Sequence, residues 1–253
     1  MRENRIRTLW SQGKSALNGW CTIPSGFAAE LMASLGWDSV TVDMQHGVID
    51  YRDAVAMFQA ISTTSATPMA RVPWNDPAII MKTLDAGAYG IICPMISTVA
   101  DAERFAGAMR YAPRGYRSSG PIRAVLYAGA DYQDHADETV IALAMIETKE
   151  GLANVDAIAA TGGVDALYVG PSDLSISLGG RPGLDQTEAN VVAAIMAIRD
   201  AAKRHGKRAG IQCASVVYAK RMLSAGFDLV TVLSDSRIIA ATGAQVVKEM
   251  RSG

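Results

Sequence analysis

The chain has little of what marks a membrane, secreted or nucleic-acid-binding protein. No uninterrupted apolar run approaches the roughly 18 residues of a membrane span. Residues 1–10 are charged and lack the apolar core of a signal peptide. The 24 basic residues are matched by 25 acidic ones, so no broad basic field can attract nucleic acid or anionic lipid. We therefore predict a cytoplasmic protein whose partners are small molecules, without nucleic acid and without a membrane.

Cysteine is scarce as well. Cys21, Cys93 and Cys213 are odd in number and far apart, with no Cys-x-x-Cys pair among them. Such a set argues against a disulfide framework and against a zinc site. Because cysteine is among the most frequently buried residue types, we predict reduced and mostly buried thiols.

Apolar runs are short but numerous, and they alternate with longer helical patterns along the chain. With 253 residues, of which 49% are hydrophobic, the chain can fill one large core. Eight runs lack polar alternation, which indicates strands buried on both faces. These runs are 19–23, 39–42, 67–71, 90–93, 142–146, 166–169, 208–212 and 229–233. We predict an α/β fold, a (β/α)8 TIM barrel that forms a single domain over residues 1–253.

Helical patterns separate and follow the predicted strands. They cover 28–35, 51–61, 77–86, 99–111, 151–161, 187–205, 215–225 and 235–250. Asp76 followed by Pro77 is typical of a helix start, and Gly87 and Gly226 are placed to end helices. Residues 3–12 are predicted to form an extra N-terminal helix that covers the bottom of the barrel. Residues 112–139 are predicted to be a long connection, of the kind that is usually functional.

Two acidic residues follow consecutive predicted strands. Glu147 comes directly after the fifth strand, and Asp173 lies in the segment 170–175 after the sixth. Since catalytic residues of such barrels lie at the carboxyl ends of the strands, these carboxylates are expected on one rim. Oxygen ligands alone favour a hard ion such as Mg²⁺ or Mn²⁺, with positions left open for a chelating 2-oxo acid. The alternative is that either acid is only a helix N-cap or first-turn residue.

Three further polar residues follow the second and third strands. His46 lies three residues after Asp43, which permits the carboxylate to orient the imidazole as a general base; the alternative is a structural histidine. Arg71 ends an apolar strand, where a buried guanidinium needs an anionic partner. That partner is either Asp43 or Glu147 in a structural ion pair, or a developing enolate or carboxylate on a substrate.

Five short motifs follow one another along the chain. They are Val-Asp-Met-Gln-His-Gly at 42–47, Ala-Arg-Val-Pro at 70–73, Tyr-Ala-Pro-Arg-Gly at 111–115, Ile-Glu-Thr at 146–148 and Gly-Pro-Ser-Asp-Leu-Ser at 170–175. Together they closely resemble the motifs of the HpcH/HpaI class II aldolases. The family includes 4-hydroxy-2-oxoheptanedioate aldolase, 2-dehydro-3-deoxyglucarate aldolase and hydroxyketoacid aldolases. The resemblance covers nearly the whole chain. It implies a metal-dependent aldolase that acts through a pyruvate or hydroxypyruvate enolate and an aldehyde, on a TIM barrel assembled as a homohexamer.

The resemblance also implies roles for individual residues. Glu147 and Asp173 match the metal ligands, for Mg²⁺ or Mn²⁺ with Co²⁺ as a further option. His46 with Asp43 matches a base dyad that acts through water. Arg71 matches the residue that holds the keto oxygen and stabilises the enolate.

Other implied contacts concern the substrate. Backbone amides near Ser172 and Asp173 are expected to take the substrate carboxylate. Met145 stands where relatives of the heptanedioate enzyme often have glutamine, so a hydrogen bond near the metal or the aldehyde is expected to be missing. Candidates for contacts with the aldehyde are Trp20, Ser119 and Arg123, the last two of which have a plain surface-loop role as the alternative.

Rival functions stay open from the sequence. A Schiff-base aldolase requires a desolvated lysine, and the nearest candidate is Lys149, in a predicted first helical turn. Citrate-lyase-type and malyl-CoA lyases share the barrel and the paired acids, although they usually carry additional sequence for coenzyme A. A non-catalytic 2-oxo-acid-binding protein on the same scaffold is the third class, because fold does not fix function.

Overall fold

Eight parallel strands close into a barrel in which neighbours along the chain are neighbours in the sheet, in a computed structural model that describes residues 1–252. The strands are β1 (Ala16–Cys21), β2 (Ser39–Asp43), β3 (Thr67–Arg71), β4 (Gly90–Cys93), β5 (Ile141–Ile146), β6 (Ala166–Val169), β7 (Arg208–Cys213) and β8 (Leu229–Val232). Pairing of β1 with β8 completes the circle. The predicted (β/α)8 fold is confirmed; the last residue of the predicted domain, Gly253, lies outside the described residues.

Helices connect and surround the strands. Within residues 1–252 they are α1 (Arg5–Ser11), α2 (Gly26–Ser34), α3 (Tyr51–Ile61), α4 (Pro77–Asp85), α5 (Val99–Met109), α6 (Ile122–Ala128), α7 (Tyr132–Thr139), α8 (Lys149–Ala153), α9 (Val155–Ala160), α10 (Pro171–Ser177), α11 (Ala189–Arg204), α12 (Val216–Ser224) and α13 (Asp235–Met250). The predicted helix 151–161 is divided into α8 and α9 at Asn154, whose side chain donates to the carbonyl of Ser97 at 2.9 Å. None of these helices is both long and apolar enough to cross a bilayer.

The first strand starts three residues earlier than predicted, because a polar residue inside the barrel interrupts the apolar pattern. Asn18 is fully buried and hydrogen-bonds with Thr231 at 2.8 Å, Ser39 at 2.8 Å and Thr41 at 3.1 Å. These partners come from β8 and β2, the two strands that flank β1. A buried polar residue satisfied by neighbouring strands cannot be distinguished from a loop residue in the sequence alone.

The N-terminal helix α1 closes the amino end of the barrel, as predicted. Ile6 and Trp10 are buried in one cluster with residues of the barrel interior. The indole of Trp10 donates to the carbonyl of Asp228 at 2.9 Å, and Arg7 pairs with Asp165 at 3.0 Å. Both partners lie just before a strand, so α1 is held at the end opposite to the strand carboxyl ends.

The segment 112–139, predicted as a long connection, contains two short helices, and its functional role stays a prediction. It contains α6 and α7, whose buried residues Ala124 and Tyr132 pack with Tyr89, a residue just before β4. Arg123 donates to the carbonyl of Ala86, again before β4. The segment therefore lies toward the amino ends of the strands, because its small apolar residues find their partners there.

The three cysteines are free and buried, in agreement with the sequence prediction. Burial is also the main reason why the pKa of the Cys213 thiol is raised to about 12. A thiol with such a pKa stays protonated near neutral pH, which favours an inert core residue over a nucleophile or metal ligand.

Candidate active site

A cavity of about 240 Å³ opens at the carboxyl end of the barrel. Its walls include five of the residues predicted to form the site, namely Asp43, His46, Arg71, Ser172 and Asp173. They come from three different strand ends. Asp43 and Arg71 are the last residues of β2 and β3, His46 lies in the loop after β2, and Ser172 and Asp173 lie in α10, just after β6. Barrel closure thus brings together residues that are far apart in the sequence.

Glu147 lies beside this cavity as a buried carboxylate. Glu147 is only 4% exposed, and its Oε1 atom accepts a hydrogen bond from the Met95 amide at 2.8 Å. Burial raises the pKa of Glu147 to about 7; the Met95 hydrogen bond opposes this rise, and the nearby charge of Asp173 adds to it. A carboxylate in this setting is only partly ionised near neutral pH unless a cation joins it.

Gly170 makes room for the Glu147 carboxylate. A Cβ atom at position 170 would lie 2.2 Å from Glu147 Oε2, closer than two such atoms can approach. Gly170 is the residue between β6 and α10, so the turn that carries Asp173 also shapes the space for Glu147. This glycine was part of a quoted motif, but its steric role could not be seen before the two loops were in place.

The donor set fits a hard divalent cation. Glu147 and Asp173 supply only oxygen atoms, which suit Mg²⁺ or Mn²⁺. Among residues 1–252 no group of three or more His, Cys, Asp or Glu side chains could hold a metal, whereas structural zinc takes four protein ligands. A cation bound by these two acids would thus leave coordination positions for water and substrate. The observation in favour of this fit is that the pKa of Glu147 stays raised although the Met95 amide and the nearby charge of Arg71 lower it.

Asp43 and Arg71 form a buried two-pronged ion pair. Arg71 Nε donates to Oδ1 at 2.8 Å and Nη2 donates to Oδ2 at 2.6 Å. The indole of Trp20 donates to Oδ2 at 3.1 Å, and its ring lies 4.9 Å from the guanidinium carbon of Arg71. Burial would raise the pKa of Asp43, but the hydrogen bonds and charge of Arg71 outweigh it and hold the pKa below its ordinary value. Asp43 is therefore ionised and fixes the orientation of Arg71.

Asp43 makes no direct hydrogen bond to the His46 ring, so the base dyad implied by the resemblance stays a prediction. Asp43 accepts from the backbone amide of His46 at 3.2 Å, not from its ring. Its two oxygens already accept five hydrogen bonds, from Arg71, from Trp20 and from the amides of Gln45 and His46. Within the described part of the chain the His46 ring has no hydrogen bond, and it is exposed on the cavity wall. The Asp43 carboxylate, which was expected to orient the imidazole, forms an ion pair with Arg71 instead. A structural ion pair with Asp43 was one of the alternatives predicted for that arginine.

A short helix missed by the sequence analysis carries Ser172 and Asp173. These residues lie in the first turn of α10, with Pro171 at the first helical position. First-turn amides have no acceptor within their own helix, so they can bind the carboxylate of a substrate. The Ser172 hydroxyl accepts from the Gly183 amide at 3.0 Å, which fastens the turn to the following loop. The start of the helix was readable from a proline followed by an acid in the first turn.

The candidates for aldehyde contacts separate into two groups. Trp20 lines the cavity, whereas Ser119 and Arg123 belong to the segment at the other end of the barrel. Ser119 accepts from Gln133, and Arg123 donates to Ser62 at 2.9 Å, contacts that favour the structural alternative for both residues.

Two residues of the cavity wall were given no role from the sequence. Gln212 in β7 was recognised only as the end of a strand, and Arg237 in α13 was not considered. Each follows or ends a strand at the carboxyl end of the barrel, which is the signal that could have found them.

Comparisons with known proteins agree with the geometry. A family model described as HpcH/HpaI aldolase/citrate lyase matches residues 22–246. A hydroxypyruvate/pyruvate aldolase of Rhizorhabdus wittichii is 46% identical over 98% of this chain and 99% of the relative. A protein of the same name from Pseudomonas aeruginosa is 35% identical over 99% of this chain and 94% of the relative. The crystal structure of an HpcH/HpaI aldolase/citrate lyase family protein from Burkholderia cenocepacia is similar with a TM-score of 0.91 and 31% identity, over 98% and 99% of the two chains.

Proposed function

Because the chain belongs to the HpcH/HpaI aldolase/citrate lyase family, we propose that it is a divalent-metal-dependent class II aldolase, a carbon–carbon lyase. Its reaction is the reversible joining of pyruvate or hydroxypyruvate, as an enolate, to an aldehyde, which yields a 4-hydroxy-2-oxo acid. The observation that carries this proposal is the buried Glu147 beside Asp173 and Arg71, the latter two of which line the cavity.

Glu147 and Asp173 would hold the cation, Mg²⁺ or Mn²⁺ with Co²⁺ as a further option. When bound, such an ion supplies Lewis acidity toward the keto oxygen of the 2-oxo acid. The fit is supported by the oxygen-only donors and by the raised pKa of Glu147. A raised pKa means that the ionised carboxylate is unfavourable in the metal-free site, so a bound cation would stabilise it. Gly170 keeps the necessary space free of a side chain.

Arg71 supplies fixed positive charge for the oxygen on which negative charge develops. Asp43 engages Nε and Nη2, so Nη1 has no acceptor in the described residues and is available to the keto oxygen. An oriented donor in a site of low polarity stabilises developing charge without reorganising during the reaction. The first-turn amides of Ser172 and Asp173 bind the carboxylate of the 2-oxo acid.

His46 is the proton carrier of the proposed mechanism. In the cleavage direction it accepts the proton of the 4-hydroxyl group, directly or through one water. The C3–C4 bond then breaks, the aldehyde leaves, and the bonding electron pair remains on the enolate, which takes a proton at C3. Without a carboxylate to orient its ring, His46 is expected to contribute general-base catalysis of about 10²- to 10⁴-fold.

The rival chemistries have less support. Lys149 is exposed at the start of α8, so it lacks the apolar pocket that activates a Schiff-base lysine. For a lyase acting on coenzyme A thioesters, and for a protein that only binds 2-oxo acids, no specific contact of the described residues gives support. Both are distinguished by assay.

The test is a panel of aldol additions. Chelated protein is supplied with one metal at a time, either donor, and a series of aldehydes, and the products are identified by mass spectrometry. We expect a 4-hydroxy-2-oxo acid from at least one donor and aldehyde pair, only with metal and not with the Glu147→Ala variant. Cleavage of malyl-CoA without aldol activity, or pyruvate binding without any carbon–carbon bond formation, would contradict the proposal.

A further inference from the structure

Arg237 contributes an unpaired positive charge to the wall of the cavity. It lies in the first turn of α13 and lines the same space as Arg71 and Asp173. Its side chain is exposed and forms no hydrogen bond or salt bridge with any residue in 1–252, in contrast to Arg71, which forms an ion pair with Asp43. The guanidinium group carries a positive charge and five hydrogen-bond donors, which suit a carboxylate.

The backbone that carries Arg237 is fixed at the rim. Leu233, with φ of 61°, turns the chain out of β8, and Ser234 caps α13 by accepting from the Arg237 amide at 3.3 Å. Asp235 is 3% exposed and accepts from both the amide and the hydroxyl of Thr22 at 2.8 Å. The first turn of α13 is thus tied to the loop after β1, and Arg237 is held at the cavity by its main chain.

Arg237 is the charged residue of the cavity wall for which the proposed binding of metal and 2-oxo acid gives no partner. Asp43 pairs with Arg71, and the two acids Glu147 and Asp173 would balance the charge of a divalent cation. In the proposed function the carboxylate of the 2-oxo acid is bound by the amides of α10, the helix that follows β6, whereas Arg237 lies on the helix that follows β8. Arg237 then remains as a cation for which the donor half of the reaction has no use.

We propose that Arg237 binds a carboxylate on the aldehyde acceptor, so that the enzyme prefers carboxylate-bearing aldehydes over neutral ones of the same length. This inference rests on the proposed aldolase function. Arginine suits the role because its planar group can bind both oxygens of a carboxylate at once. Its exposure at the cavity mouth places the charge where the far end of an acceptor extends away from the reacting carbon.

The experiment compares Arg237→Gln with wild-type protein on matched aldehydes. Glyoxylate is paired with acetaldehyde, and succinic semialdehyde with butanal, so that the members of each pair differ by one carboxylate. Arg237→Lys retains the charge, and Arg221→Gln removes an exposed arginine of α12 away from the cavity. The readouts are kcat/KM for each aldehyde and KM for pyruvate, with metal saturating.

We expect kcat/KM for at least one carboxylate-bearing aldehyde to fall about tenfold or more in Arg237→Gln, as for the loss of a charge-assisted hydrogen bond. The neutral partner should change by less than about threefold, KM for pyruvate should hold, and Arg237→Lys should recover part of the loss. Equal losses on both members of each pair, a raised KM for pyruvate alone, or no change would overturn the inference. Wild-type protein that forms no aldol product would overturn the proposed function and this inference together, which distinguishes the two failures.

Discussion

At the scale of single residues, the buried charge of Glu147 lowers the free energy of unfolding of the metal-free protein. Its pKa is raised from an ordinary 4.5 to about 7, chiefly by burial. Between these two values the folded protein binds a proton that the unfolded chain has released. Stability of the metal-free protein therefore falls as the pH rises through this window, and the full cost, on the order of 3 kcal/mol, is present above about pH 7.

We expect Glu147→Gln to stabilise the metal-free protein by about 2–3 kcal/mol at pH 8 and by little at or below pH 4.5, because the amide carries no charge to bury. Urea unfolding in the presence of a chelator measures this difference across pH. Addition of Mn²⁺ at pH 8 should then stabilise the wild-type protein and leave the variant unchanged. If the free energy of unfolding changed with pH in the same way in both proteins, Glu147 would not be the buried carboxylate that binds the cation.

Two other variants separate the roles of the metal ligand and the base. Glu147→Ala should have no measurable turnover, whereas His46→Ala should keep residual activity, slower by about 10²- to 10⁴-fold. Steady-state rates at saturating metal measure this difference. His205→Ala is the matched control, because His205 lies exposed on the surface. A fully active Glu147→Ala variant would exclude it as a ligand.

The sequence placed most of the candidate residues at the right end of the barrel but not all of their partners. His46 is three residues from Asp43 along the chain, which made it the natural partner for the carboxylate. In the sheet Asp43 pairs in register with Arg71, on the adjacent strand. The register between strands is set by the folded barrel and cannot be read from the sequence. Arg71 was therefore predicted only as an alternative partner of Asp43.

At the scale of elements, the turn from β6 into α10 couples two loops of the site. Gly170→Ala would place a methyl group 2.2 Å from the present position of Glu147 Oε2 and displace that carboxylate. We expect Mn²⁺ affinity to fall about tenfold or more, in the range seen when groups supporting a metal ligand are changed. Calorimetric titration with Mn²⁺ measures the change.

Gly162→Ala is the matched control, because a Cβ atom there meets nothing within 4 Å. Circular dichroism verifies that both variants are folded. Unchanged Mn²⁺ affinity in folded Gly170→Ala would show that the turn does not determine where Glu147 lies.

Elements with strong local signals could be predicted from the sequence, and those set by distant contacts could not. The helix 51–61 was predicted with the bounds of α3, where Asp50 and Asp53 form a reciprocal cap. In the segment 112–139, α6 and α7 are short and have no side-chain cap, so nothing local marked them. They are stabilised by packing on Tyr89, a contact across the fold.

At the scale of the whole molecule, the chain exposes apolar side chains that a single copy does not cover. Phe27 is 76% exposed and Leu31 is 55% exposed on α2, and Met250 is 81% exposed on α13. Phe27 and Leu31 lie one turn apart on the same face of α2, and exposed apolar patches are typical of protein interfaces. We expect a homohexamer, as the family resemblance implies, and light scattering after size-exclusion chromatography should give six times the mass of the chain. A monomer at micromolar concentration would contradict this expectation.

The central claim is that a divalent cation held by Glu147 and Asp173 is required for carbon–carbon bond chemistry. The most direct measurement is the rate of aldol formation by exhaustively chelated protein as Mn²⁺ is added back in steps. We predict no product without metal and a saturable recovery with it, absent from the Glu147→Ala variant. An undiminished rate in the chelated protein would contradict the claim.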